Sequence, residues 1–162
     1  MNNDIKDKTI ADLGCGTGIL GLGAAVLEAK KVYLIEKHKV IDIAKRNAKS
    51  LEIFNKLTFI EKDVKSVKIH ADTVIQNPPF GTKEKHADKR FLEKAFSIAD
   101  VIYSFHKIES KKFLEKISRD YNFTITHIYK FKLPIKATQK FHKRKIHRID
   151  VGCWRLVKQL NI

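Results

Sequence analysis

Apolar and polar residues follow two rhythms along this chain. Short apolar runs at Thr9–Leu13, Val32–Ile35, Leu57–Ile60, Thr73–Ile75 and Val101–Phe105 read as strands. Between them, Lys39–Leu51 places Val40, Ile43, Ala44, Ala48 and Leu51 at the 3.6-residue spacing of an amphipathic helix. Ile19–Ala29 also reads as a helix, and its apolar, glycine-spotted character predicts burial. Lys89–Ser97 and Ser110–Arg119 are helical in pattern, and Phe123–Leu133 and Ile146–Val157 are longer strand-like runs. Strand–helix alternation followed by a pair of strands predicts an α/β fold. The sheet should be mainly parallel, with helices on both faces and a C-terminal antiparallel hairpin. No repeat, low-complexity segment or linker interrupts the pattern, so residues 1–162 are expected to form a single domain.

Composition narrows the partners. No apolar stretch approaches the roughly 20 residues that cross a membrane. The N-terminal MNNDIKDKT is polar and lacks the form of a signal peptide, so a soluble cytoplasmic protein is expected. Cys15 and Cys153 are too few for a disulfide framework, and no CxxC pair suggests zinc. His142 and His147 read as members of a solvated basic loop rather than as ligands, and no metal is expected. Net charge is +15, and the stretch from Lys130 to Arg148 holds eight Lys/Arg and no Asp or Glu. Such a stretch suits a phosphate-binding face, because cations release counterions from nucleic acid. A merely lysine-rich surface is the plainer alternative. Phe131 and Phe141, set among these charges, suit nucleotide contact or core equally.

Two stretches carry chemistry. Asp12-Leu13-Gly14-Cys15-Gly16-Thr17-Gly18 lies between the first strand and the first helix, where α/β sheets bind ligands at the strands' carboxyl ends. Glycines there let the backbone approach a cofactor closely. Gly16 to Gly21 also matches the dinucleotide fingerprint GxGxxG, so a nicotinamide dinucleotide competes with S-adenosylmethionine. Either cofactor wants an acid after the second strand for its ribose, and Glu36 supplies one. Asp63 follows the third strand, where its carboxylate can accept from an adenine amine while the Val64 backbone reads the ring edge.

The second stretch, Asn77-Pro78-Pro79-Phe80, follows the fourth strand directly. An aromatic amine is a poor nucleophile because its lone pair is delocalised. Two acceptors at its hydrogens, the Asn77 side-chain oxygen and the Pro78 carbonyl, favour a pyramidal nitrogen. Proline holds that carbonyl rigidly. Phe80 offers a face for stacking, worth about 1–3 kcal/mol per base. The base must be single-stranded or flipped to enter.

The run Asn77 to Lys83, NPPFGTK, resembles the signature of the methyltransferase-like 5 family and its archaeal relatives. Asp88, Phe91, Leu92 and Ala95 fit the family's following helix. Val101-Ile102-Tyr103-Ser104-Phe105-His106-Lys107 is similar to its VYSLHK strand, and Leu133-Pro134 with Lys140 to Lys145 to its LP…KFHKKK segment. The resemblance implies a Rossmann-like class I methyltransferase that moves a methyl group from S-adenosylmethionine to adenine N6 in small-subunit ribosomal RNA. By it, Asp12, Gly14, Gly16, Thr17, Gly18, Ile19, Glu36, Asp63 and Val64 line the cofactor site. Asn77, Pro78, Pro79 and Phe80 hold the adenine, and Lys83, Lys140, His142, Lys143, Arg144 and Lys145 meet RNA. It also implies a small zinc-ribbon activator subunit, for which the edge of the third strand is the candidate contact. Family members carry a few dozen residues before the first strand; here eight precede Thr9, which implies a truncated chain or weak cofactor binding. Two other functions stay open. One is a protein glutamine-N5 methyltransferase, whose amide nitrogen poses the same lone-pair problem. The other is a non-catalytic RNA-binding protein on a methyltransferase fold.

Overall fold

The computed structural model describes residues 2–79, 87–136 and 146–160. It contains seven strands and four helices: β1 (Thr9–Leu13), α1 (Ile19–Val26), β2 (Lys31–Glu36), α2 (Ile41–Ser50), β3 (Leu57–Glu61), β4 (Thr73–Gln76), α3 (Ala87–Ile98), β5 (Val101–Lys107), α4 (Lys111–Asp120), β6 (Phe123–Lys136) and β7 (Ile146–Lys158). The strands form one sheet in the order β3-β2-β1-β4-β5-β7-β6. Pairings from β3 through β5 are parallel, and β7 runs antiparallel to both β5 and β6. The expected parallel sheet with a closing hairpin is therefore the observed architecture.

Period-two alternation sorts the core into two layers. Ile10, Val32, Leu34 and Ile75 meet Leu22, Ala24 and Ala25 of α1 and Ile41, Ala44 and Ala48 of α2. Their neighbours Ala11, Leu13, Ile35, Val74 and Ile102 turn to the other side, against Leu92, Ala95 and Phe96 of α3 and Leu114 and Ile117 of α4. Each fully buried leucine or isoleucine contributes about 1.5–3 kcal/mol, so removing apolar surface from water supplies most of the drive for this layering.

Helix α1 departs from the sequence reading in two ways. It ends at Val26 rather than Ala29. Glu28 adopts φ 64°, and the amides of Ala29 and Glu28 bond the carbonyls of Ala24 and Ala25, which is a Schellman stop with glutamate in the left-handed position usually held by glycine. Burial is also one-sided: Gly21, Leu22, Ala24 and Ala25 pack inward, while Ile19, Val26 and Leu27 are 75%, 57% and 63% exposed. The other side of the helix faces away from the sheet, so its apolar character does not bury it. Helix α2 also starts later than its periodicity predicts, at Ile41 rather than Lys39.

The N-terminal residues are tied to the sheet by Asp4. Its carboxylate accepts from Arg155 Nε at 2.8 Å and from the Tyr103 hydroxyl at 2.6 Å, while its carbonyl accepts from the Thr73 hydroxyl at 2.7 Å. Burial works to raise the pKa of Asp4, but the hydrogen bonds from Arg155 and Tyr103 outweigh it and hold this carboxyl below the usual aspartate value. Among the described residues no helix is long and apolar enough to cross a membrane.

Candidate active site

Strand order places the candidate residues side by side. Helix α1, which follows β1, and helix α3, which follows β4, pack on opposite faces of the sheet, and this reversal opens a crevice at the strands' carboxyl ends. Leu13 and Gln76 are register partners across β1 and β4, so the glycine loop and Asn77 leave the sheet from adjacent positions, about 4.7–4.9 Å apart in strand spacing. Ile35 pairs with Leu13 on the other flank, which sets Glu36 beside Gly14. Asp63 lies two residues past the end of β3, in the next place along the same rim.

The loop is held from below and behind. The amides of Gly14 and Cys15 both donate to the Ile35 carbonyl, at 2.8 and 2.9 Å, and Asn47 of α2 donates to the Thr17 carbonyl at 3.0 Å. Gly14, Gly16 and Gly18 all have positive φ, at 69°, 55° and 87°. Gly16 and Gly18 have different surroundings. A methyl group on Gly18 would stand 2.9 Å from the Ala44 Cβ, so that position is closed by packing. A methyl group on Gly16 would meet nothing within 4 Å, so the loop turns a bare backbone outward there. That open cradle, backed by a carboxylate, fits a nucleoside cofactor.

The two acids flanking the loop do different things. Asp12 is 1% exposed and accepts from the Gly21 amide at 2.7 Å, so it lies beneath the loop and fastens the start of α1 to the end of β1. Burial pushes its carboxyl up to about 7, with the charge of Glu36 adding and the Gly21 hydrogen bond opposing. Glu36, 8% exposed, accepts from the Gly16 amide at 3.2 Å and from the His38 amide at 3.0 Å. Asp63 is exposed and caps its own turn, accepting from the Lys65 amide at 2.9 Å, while Val64 beside it is buried. Thr17 is half-buried and Ile19 exposed at the loop's far side. Burial drives the pKa of the Cys15 thiol well above its ordinary value and pushes that of Cys153 up to about 12, so neither offers a thiolate nucleophile.

At the tip of β4, Asn77 and Pro79 are exposed and Pro78 is buried. Phe80, Lys83, Lys140, His142, Lys143, Arg144 and Lys145, also expected at the site, lie outside the described residues. Some functional neighbours were not singled out from sequence for the roles they have. A methyl group on Gly14 would stand 2.7 Å from the Phe91 ring, so α3 packs directly onto the glycine loop. Asn47 is the clamp on Thr17. Gln76, Ser104 and His106 form a buried polar cluster just under the tip of β4. Alternation along Ile102-Val101 and onward could have revealed the last pair, since Ser104 and His106 share the inward face of Ile102.

The chain is similar to several known proteins. The profile described as methyltransferase small domain matches residues 1–100. MJ0284 of Methanocaldococcus jannaschii is 39% identical over 173 residues, covering 96% of this chain and 76% of that protein. The rRNA N(6)-adenosine-methyltransferase METTL5 of Danio rerio is 37% identical over 156 residues, covering 92% of this chain and 75% of its own length. The crystal structure of PH1948 from Pyrococcus horikoshii, described as a candidate RNA methyltransferase, superposes with a TM-score of 0.88 at 41% identity, over 97% of this chain and 78% of that one.

Proposed function

The chain belongs to the methyltransferase small domain family, in its methyltransferase-like 5 branch, as an S-adenosylmethionine-dependent enzyme, and we propose that its acceptor is the exocyclic N6 of an adenine in RNA, with small-subunit ribosomal RNA the substrate class. The observation that carries this reading is the register of β1 and β4. It sets Asn77 beside the glycine loop, so an amine held at one tip lies next to a methyl donor held at the other. The similarity to the zebrafish and fly rRNA N(6)-adenosine-methyltransferases supports the choice of acceptor.

The cofactor supplies an activated sulfonium methyl when bound. Everything else falls to the chain. Gly16 leaves room for the cofactor against bare backbone, and Glu36 is the acid available to ribose hydroxyls. Asp63 and Val64 are proposed for the adenine ring of the donor. The Asn77 side-chain oxygen and the Pro78 carbonyl accept hydrogen bonds from the target amine and localise its lone pair, and the nitrogen, once methylated, sheds one proton to water. Proline keeps the carbonyl from relaxing, and Phe80 stacks on the base. Catalysis is then positioning and electrostatics, and no strong base is needed. Lys83 and the segment Lys140, His142, Lys143, Arg144 and Lys145 are proposed to bind RNA phosphate, consistent with a net charge of +15. The sheet's free edge at β3, flanked by half-exposed Leu51 and Phe54, is proposed to take a small zinc-ribbon activator by strand addition.

The test offers labelled S-adenosylmethionine with ribosomal RNA, or with release factor as a glutamine-bearing protein. Label in N6-methyladenosine supports the proposal. Label only in glutamine selects the protein-methylating alternative. Cofactor binding without transfer to either selects an RNA-binding role.

A further inference from the structure

Three polar side chains are buried in an otherwise apolar face of the sheet, directly beneath the tip of β4. Gln76 and Ser104 are 0% exposed and His106 is 2% exposed. Around them the same layer is built from Val74, Leu92, Ile102, Trp154 and Leu156. Gln76 is the last residue of β4 and immediately precedes Asn77. Ser104 is its register partner on β5, and His106, two residues on, projects to the same face. Gln76 Nε2 donates to Ser104 Oγ at 3.0 Å, and Ser104 Oγ lies 2.7 Å from His106 Nε2.

Burial holds the His106 imidazole down to about 4, with Asp88 at the start of α3 pulling weakly the other way, so the ring is neutral at ordinary pH. Ser104 Oγ has two lone pairs and one proton, so besides accepting from Gln76 it pairs with the neutral ring at Nε2, the tautomer setting which of the two donates. The hydrogen bonds form a continuous chain linking the Gln76 amide, the Ser104 hydroxyl and His106. Among the described residues, the buried side-chain atoms without a partner are Gln76 Oε1 and Trp154 Nε1, and Trp154 is the register partner of Ser104 on β7. Burying such polar groups brings little net stability, since apolar replacements of similar shape can be nearly neutral. What the cluster does provide is direction: it fixes the orientation of Gln76, and the next residue along the backbone is Asn77.

We propose that Gln76, Ser104 and His106 are a hydrogen-bonded positioning relay that locks the tip of β4, and through it the Asn77 amide and the Pro78 carbonyl, in the geometry methyl transfer needs. The inference rests on the reading that this tip receives the acceptor amine. None of the relay residues touches substrate; they act through Asn77.

The experiment compares wild type with Ser104→Ala, His106→Leu, His106→Gln and Asn77→Ala. Three readouts are taken: the single-turnover rate of methyl transfer to RNA, the cofactor dissociation constant, and the side-chain amide signals of Asn77 in the 15N spectrum, which Asn77→Ala identifies by their loss. Ser104→Ala removes one oxygen and leaves the packing, so it tests the relay even where His106→Leu folds poorly. Ser104→Ala and His106→Leu are expected to slow transfer about 10–100-fold with cofactor affinity changed less than about threefold. They should also split or broaden the Asn77 amide signals. His106→Gln, whose amide oxygen reaches the place of Nε2, should restore both. Unaltered Asn77 signals in Ser104→Ala and His106→Leu overturn the proposal. So does a rate loss that only follows melting temperature, with His106→Gln no better than His106→Leu. The amide spectrum is read without RNA. A wild type that methylates no RNA therefore sinks the acceptor assignment alone, and the spectrum still decides the relay.

Discussion

Glu36 reaches from the tip of β2 to the Gly16 amide, 3.2 Å away, and so braces the one loop position where the backbone faces open space. Its other oxygen takes the His38 amide at 3.0 Å. The chain's own amides thus fix this side chain, for which ribose binding is the proposed role. Glu36→Gln keeps the shape, removes the charge and leaves one oxygen to accept where two now serve the Gly16 and His38 amides. Hydrogen bonds to charged groups contribute about 1.5–3 kcal/mol, so cofactor affinity should fall about 10–100-fold. Titration calorimetry checks this, and an unchanged dissociation constant contradicts the role.

Gly16 and Gly18 should separate binding from folding. Both have left-handed φ, where any other residue costs roughly 1–2 kcal/mol. Gly18→Ala adds a clash with the Ala44 Cβ at 2.9 Å, whereas Gly16→Ala meets no protein atom within 4 Å. Gly18→Ala should lower thermal stability the more, and Gly16→Ala should weaken cofactor binding out of proportion to its loss of stability. Melting curves with and without cofactor test the ordering. A larger melting loss for Gly16→Ala contradicts it.

Asp12 and His106 give the protein opposed pH dependences. The folded-state value of His106, about 4, lies below its ordinary 6.5, so the fold prefers the neutral ring and loses stability as pH falls from 6.5 towards 4. The folded-state value of Asp12, about 7, lies above its ordinary 3.8, so the fold prefers the protonated acid and loses stability as pH rises from 3.8 towards 7. Between about pH 4.5 and 6.5 the two trends offset, and wild-type stability should be nearly flat. Asp12→Asn keeps an acceptor for the Gly21 amide and removes one trend. Its stability should fall by roughly 2–3 kcal/mol from pH 6.5 to 4.5 in denaturant titrations. A flat profile for this variant contradicts the buried neutral histidine.

Glu52 occupies a left-handed C-terminal position after α2, at φ 56°. The amides of Ile53 and Glu52 bond back to Ala48 and Lys49 as in α1. Glu52→Gly should relieve about 1 kcal/mol and raise the melting temperature by about 2–4 °C. A lowered melting temperature contradicts this assignment of strain.

These helix ends show where sequence reading stops. The starts of the functional loops were legible because glycine and proline punctuate them: Gly14 to Gly18 after β1, Pro78 and Pro79 after β4. The end of α1 was not, because the residue in the left-handed position is Glu28, and a glutamate carries no stop signal. One-sided burial of α1 was hidden for a similar reason, since Ile19, Val26 and Leu27 look like core residues in any apolar count yet face away from the sheet. The motif residues Asp12 and Glu36 were both legible as acids of the loop. Their division of labour was not, because the hydrogen bond that the Gly21 amide donates to Asp12 exists only once α1 is folded back over β1.

The most direct test of the account concerns Asn77. Single-turnover methyl transfer to ribosomal RNA and cofactor affinity are measured side by side for wild type and Asn77→Ala. If the β4 tip holds the acceptor amine, transfer should fall by at least about 100-fold while the cofactor dissociation constant stays within about threefold of wild type. Transfer at the wild-type rate, or a loss traced wholly to weaker cofactor binding, would contradict it.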